Sequence, residues 1–185
     1  IMPTITLKKY SYQQLFQTYC GFDPFLLTTS ELIKYSLSHQ LVDRVLDMDK
    51  DAWLALIMSH QIEPILSQKN ECSVVYDFPA SQASLAIIEG PIAKRFEVYL
   101  LGVELANGFE ELSDPKEQLE RFKKDNRQRI DEGLSEKAID HYFIQALQEG
   151  LPACSGVALG IDRLIMAALK VKDIREVMSF NFITA

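Results

Sequence analysis

The chain has 185 residues, 48% of them hydrophobic, with only 8 Gly and 7 Pro, so it can bury one substantial core and is not a disordered or low-complexity segment. A formal net charge of -7 excludes a general nucleic-acid binder, which needs a basic footprint, and leaves only a local basic patch open. Cys20, Cys72 and Cys154 are odd in number and outside any CxxC spacing, which excludes a disulfide framework or a structural zinc site and predicts reduced thiols.

The first third reads as helices. Ser11 can cap one starting near Tyr12, Ser30 another running to about Gln40, and a longer one is predicted from Asp51 towards Ile62, with Trp53, Leu56, Ile57 and His60 at helical spacing and Pro64 interrupting or ending it. Cys72 to Phe78 is rich in β formers and stops at Pro79, and a polar loop, Ala80 to Ser84, follows. Residues 94–112 predict a hairpin with its turn near Gly102. A charged helix is expected from Asp114 and Pro115 to about Glu132, stopped by Gly133, then a short one from Ile139 to Glu149, ended by Gly150. A last strand runs into a helix from Arg163 to about Lys170. No regular βαβ alternation appears, so the expected class is α+β with an antiparallel sheet. No apolar run approaches the ~20 residues of a membrane span, and no signal peptide is visible; a cytoplasmic location is expected. The chain opens on Ile1 without an initiator methionine, which reads as a fragment or a processed form.

The stretch Gly156-Val157-Ala158-Leu159-Gly160-Ile161-Asp162-Arg163-Leu164 says most about chemistry. Gly156, Ala158 and Gly160 alternate, so on a strand they share a face with room for a flat ring, and Val157, Leu159 and Ile161 on the other face are expected to be core. Arg163 falls in the first helical turn, where the macrodipole disfavours a cation, and an arginine fork beside polyphosphate would account for it. A packing turn with an incidental surface arginine gives the same local pattern. There is neither a P-loop ending nor a GxGxxG run.

Glu97 and Glu104 flank the predicted turn, and a regular hairpin could place them opposite one another on adjacent strands. Carboxylates paired so repel. A magnesium ion, which takes one or two carboxylates plus phosphate oxygens, would relieve that; a hydrated edge is the plain alternative. On an unbroken strand Glu104 and Asn107 point to opposite faces, so a site shared between them, with Glu111 nearby, requires a bulge, expected near Gly108. Acids with one amide suggest a cationic ligand such as an amine.

Taken together, Arg95-Phe96-Glu97, then Glu104-Leu105-Ala106-Asn107-Gly108-Phe109 with Glu111, then Gly156 to Leu164 resemble the C-terminal half of a class II lysyl-tRNA synthetase catalytic domain. Pro79 to Ala86, Glu104 to Phe109 and Cys154 to Gly160 look closer to a truncated bacterial branch of that family, the elongation factor P (R)-β-lysine ligases, which lack an anticodon-binding domain. The resemblance covers essentially the whole chain and is strongest from Phe78 to Leu164. It implies a class II synthetase-like sheet flanked by helices, with motif 3 at 156–164, a helical insertion at about 11–67, and motifs 1 and 2 absent from residues 1–185.

It further implies that Glu97 and Glu104 hold Mg2+ and ATP, that Leu105 lies near the adenosine, and that Gly160 lines the adenine pocket. Asn107 and Glu111 would grip the amino acid, Glu111 pairing with its side-chain ammonium, and Arg163 would contact the nucleotide. Ala158 stands where lysyl enzymes have glycine and could reshape the pocket towards a β-amino acid. Arg163 and Glu104 are the catalytic pair in this reading. The implied activity is ATP-dependent formation of an aminoacyl-adenylate from (R)-β-lysine or lysine and transfer to a lysine of elongation factor P. A lysyl-tRNA synthetase acting on tRNA and a catalytically silent regulatory paralogue are the alternatives, tRNA being disfavoured as acceptor. The resemblance also implies a homodimer for the full-length protein, and residues 1–185 alone are expected to be inactive because the arginine that holds the α-phosphate belongs to motif 2.

Overall fold

The computed structural model describes residues 5–69 and 71–181. The polar run Thr6–Ser11, which the sequence reading passed over, is a strand, β1. Ser11 then caps α1 (Tyr12–Cys20) in a reciprocal capping box with Gln14. The next helix, α2 (Thr29–Ser38), is capped by Thr28 rather than Ser30, because Glu31 stands three residues after Thr28 and returns the bond. The long helix expected from Asp51 is instead α3 (Lys50–Ile57), a π-helical turn (Met58–Ile62) and α4 (Glu63–Ser67). Pro64 does not end it. It falls in the first turn of α4, where a missing N–H leaves no bond unmade.

Then come β2 (Glu71–Pro79), a 3-10 turn at Ala80–Gln82, β3 (Ile88–Glu89), β4 (Ile92–Leu100) and β5 (Val103–Glu110). Helix α5 (Pro115–Asp131) starts at an Asp114 cap with Pro115 inside it, α6 (His141–Glu149) starts at Asp140, and β6 (Ser155–Leu159) leads into α7 (Ile161–Leu169). The sheet runs β1-β2-β4-β5-β6, with β3 beside β4. It is mixed rather than wholly antiparallel. The β1–β2 pair is parallel, because the chain returns from β1 to β2 only after the whole helical segment, the long crossover that parallel neighbours require.

The core lies where that helical segment meets β2 and β4: Tyr12, Leu15, Phe16, Leu32, Trp53, Leu54, Ile57 and Ile62 close on Val75, Phe78, Ala93 and Tyr99, all at most 4% exposed. Each of the larger side chains contributes about 1.5–3 kcal/mol by leaving water. The two-residue turn between β4 and β5, Leu101 and Gly102, has φ of 52° and 77°, the left-handed pair that matches strand twist. Gly102 is required there twice over, since a Cβ would also stand 2.4 Å from Ser67 Cβ of α4. The helical segment therefore abuts the tip of the hairpin that carries the acids.

One expectation fails on the far side of the sheet. Val157, Leu159 and Ile161 are not core: they are 61%, 47% and 58% exposed. Alternation put Val157 and Leu159 on one face of β6, but the strand ends at Leu159 and Ile161 is already the first residue of α7; the helices cover the other end of the sheet, and β6 is its edge strand.

Candidate active site

The hairpin register decides which residues meet. Leu100 pairs with Val103 and Tyr99 with Glu104, but Val98 pairs with Ala106 and Glu97 with Asn107. Leu105 is therefore the extra residue of a bulge in β5. Glu97 and Glu104 do not oppose one another as the regular hairpin predicted. The bulge still brings them together: paired residues share a face, so Glu97, Tyr99, Glu104 and Asn107 all project to one side. The break needed to unite Glu104 and Asn107 is present, at Leu105 rather than near Gly108. Leu105 is buried and its carbonyl accepts the Gly160 N–H at 2.8 Å, tying the end of β6 to the bulge.

On the same face, Asn107 pairs with Ala158 and Phe109 with Gly156 of β6. Glu111, just past β5, lays its carboxylate over Gly156, where a Cβ would come within 2.4 Å of Oε1. Its backbone N–H donates to the Cys154 carbonyl at 3.0 Å. The glycine at 156 thus leaves the space that the Glu111 side chain occupies.

Two arginines organise the acids. Arg163 NH1 donates to the Glu104 carbonyl at 2.8 Å and lies 3.7 Å from its carboxylate, a tertiary reason for a cation in the first turn of α7. Arg95, two residues before Glu97 on the same face, ion-pairs with Glu97, donates from Nε to Asn107 Oδ1 at 3.3 Å and from NH1 to the Gln82 carbonyl at 3.0 Å, and stacks 4.7 Å from the Phe78 ring centroid. Tyr99 donates to Glu97 Oε2 at 2.5 Å; burial and the Glu97 carboxylate push its hydroxyl pKa up, so it remains a donor. Burial, then the Glu97 charge, raise the pKa of Glu104 against the opposing pull of Arg163 and Arg95. Glu63 of α4 is raised by burial and by the charges of Glu97 and Glu104, which brings a third carboxylate to the rim.

All eight residues selected from the sequence, Glu97, Glu104, Leu105, Asn107, Glu111, Ala158, Gly160 and Arg163, thus meet on or beside one run of β4, β5, β6 and the start of α7. Sequence reasoning gave no role to Arg95, Tyr99 or Glu63. The first two were within reach, since alternation from Glu97 places both on its face; Glu63, remote in sequence, had no such signal. Among the described residues no group of three or more His, Cys, Asp or Glu side chains is arranged to hold a metal by itself. Two carboxylates on one face, one with its pKa raised by the other, nevertheless suit magnesium, which completes its shell with phosphate and water oxygens. Helix α5 carries Lys116, Arg121, Lys123, Lys124, Arg127 and Arg129, but several of these cations are engaged within the chain. Arg121 and Arg129 donate to the backbone carbonyls of Ser84, Ala86 and Ser135, and Lys123 pairs with Glu120.

A family model described as "tRNA synthetases class II (D, K and N)" matches residues 3–184. Among similar curated proteins, one from Mannheimia succiniciproducens named "Elongation factor P--(R)-beta-lysine ligase" is 46% identical over 177 residues, 94% of this chain and 54% of that protein. Proteins of the same name from Haemophilus ducreyi and Vibrio vulnificus are 44% identical over 178 residues and 46% over 181, covering 95% and 96% of this chain and 54% and 56% of theirs. The chain spans about half the length of the curated relatives it matches.

Proposed function

This chain belongs to the class II tRNA synthetases (D, K and N), and on that premise we propose that it is the C-terminal part of the catalytic domain of an ATP-dependent ligase that activates (R)-β-lysine or lysine and transfers it to a lysine of elongation factor P. The observation that carries the reading is the placement of the Glu111 carboxylate over Gly156, in line with Ala158 and Asn107 and beside the Glu97, Glu104 and Arg163 cluster. One end of that row is built for an ammonium and the other for a polyphosphate. The name shared by the relatives supports a β-lysine as the amine and elongation factor P, rather than tRNA, as the acceptor.

In this reading Glu111 pairs with the side-chain ammonium of the amino acid, and Asn107, its amide oxygen fixed by Arg95, presents its amide nitrogen to the substrate. An amino-acid carboxylate oxygen attacks the α-phosphorus of ATP, the bond to the β-phosphate breaks and pyrophosphate leaves. The elongation factor amine then attacks the acyl carbon and releases AMP. No protein nucleophile is needed; alignment and charge stabilisation do the work. Glu97 and Glu104 would hold magnesium, whose charge, when bound, offsets that of the phosphates. Arg163, fixed on the Glu104 carbonyl, faces the nucleotide, and Leu105 and Gly160, joined by their backbone bond, form the floor beneath the adenosine. The extra methyl of Ala158, opposite Asn107, shapes the pocket for the longer backbone of a β-amino acid. Residues from about 11 to 67 act as a helical insertion bracing the hairpin tip, the enzyme is a cytoplasmic homodimer, and residues 1–185 alone do not complete the reaction.

The test uses the full-length gene product. Glu111→Gln should raise the amino-acid KM in ATP–pyrophosphate exchange by tenfold or more, on the order of the charge-assisted bond lost, with the ATP KM unmoved, and Arg163→Ala should do the reverse. Equal effects of both changes on both ligands would show that the two residues are only structural.

A further inference from the structure

Glu111 belongs to a short segment held from both sides. On one side its N–H reaches Cys154. On the other, Leu85, Ala86 and Ile87 run alongside Glu110, Glu111 and Leu112: Ile87 N donates to the Glu110 carbonyl and Leu112 N to the Leu85 carbonyl, both at 2.9 Å, and Ala86 bridges Glu111. After the 3-10 turn at Ala80–Gln82 the segment to Ala86 is otherwise a loop, with Ser84 at a φ of 51°, a left-handed conformation uncommon for a serine.

The turn around Ser84 is closed by the Ala86 N–H, which donates to the Ala83 carbonyl at 2.8 Å, and is held from outside by Arg121 on α5. Its NH1 donates to the carbonyls of Ser84 at 2.9 Å and Ala86 at 2.7 Å, while NH2 pairs with Glu117 at 2.5 Å, and the side chain is only 16% exposed. The other end of the loop is taken by Arg95, through the Gln82 carbonyl. Each carbonyl that Arg121 holds lies within a residue or two of a backbone bond flanking Glu111. The guanidinium therefore acts through the loop on the carboxylate, with charge-assisted bonds rather than packing.

We propose that Arg121 is a positioning residue that fixes Glu111 for the substrate ammonium. The proposal rests on the reading of Glu111 above and adds the device that aims it. Lysine cannot replace the fork, because one ammonium does not span two carbonyls and a carboxylate in that plane.

Two measurements test it, with Arg121→Met keeping the apolar stem and Arg121→Lys keeping the charge. In the full-length gene product Arg121→Met should raise the amino-acid KM in ATP–pyrophosphate exchange by about tenfold, with the ATP KM and kcat within about twofold, and Arg121→Lys should recover part of the loss. Gln128→Ala, an exposed change on the same helix, should alter nothing. In the same full-length product, hydrogen exchange at the Ile87 and Leu112 amides should quicken at least tenfold in both Arg121 variants, while the Gly160 amide, bonded to Leu105, keeps its rate. A parallel rise in both KM values, or unchanged exchange at Ile87 and Leu112, would overturn the proposal. Should Arg121→Met not fold, Arg121→Lys decides by the same readouts. If the wild-type product activates neither lysine nor β-lysine, the functional reading fails, and amide exchange still decides whether Arg121 holds the Glu111 segment.

Discussion

Adding a single methyl group at Gly156 would test the amine site without removing any polar atom. In Gly156→Ala the new Cβ would stand 2.4 Å from Glu111 Oε1, against about 3.4 Å for ordinary contact, so the carboxylate must retreat by about 1 Å. The nearest atom is the end of a flexible side chain, and no other atom outside Glu111 lies within 4 Å among the nearest three, so the fold should absorb the change. A shift in Tm of less than about 4 °C is expected. Function should not absorb it. A displacement near 1 Å in a positioning group costs up to about a hundredfold, and weakening a charge-assisted bond costs about 1.5–3 kcal/mol, so the amino-acid KM in ATP–pyrophosphate exchange by the full-length product should rise about 10- to 100-fold with the ATP KM unchanged. Glu111→Asp, one methylene shorter, should restore part of the affinity in the Gly156→Ala background. An unchanged amino-acid KM in the folded single variant would refute the assignment of Glu111, whatever other variants do.

The acid cluster makes a prediction about pH. Glu104 binds its proton more tightly folded than unfolded, because burial and then Glu97 raise its pKa, so its contribution favours the folded state at low pH and is lost as pH rises through the window from about 4.5 upward. Glu104→Gln should remove that decline, seen as a smaller loss of denaturant midpoint between acid and neutral pH than in the wild-type chain; parallel curves would refute it. The basic side of α5 makes another: reversing Lys123 and Arg127 to glutamate should slow modification of elongation factor P and weaken its salt dependence while adenylate formation stays intact. Unchanged kinetics would leave α5 an ordinary solvated face.

Helix starts were legible where the chemistry is local: Ser11 with Gln14, and Asp114 with Pro115, announce themselves within four residues. So were the strand before Pro79 and the hairpin. Strand β1 was not, because Thr6–Ser11 is polar and gains its partner only across the helical segment, in a parallel register no neighbouring residue encodes. Of the two outcomes open at Pro64, interruption rather than termination holds: a π turn breaks the α-helix just before it and places the proline at a new helix start. The candidate site residues could be named as a set through resemblance and alternation, but the pairing of Glu97 with Asn107 depends on one extra residue at Leu105, and the apolar character of Val157's face says nothing of whether a helix covers it.

The bulge at Leu105 turns spacing into parity. Were one residue lost between Glu104 and Asn107, the strand would be regular and its two ends, now two positions apart, would still share a face. Were the bulge instead absorbed into the ladder with every residue kept, the pairing would run on, yet Asn107, Phe109 and Glu111 would swing to the opposite face from Glu104. A sheet could survive that slip while its chemistry is split in two, half above and half below. The extra residue must therefore stay out of the ladder, and the Gly160 N–H on the Leu105 carbonyl holds it there.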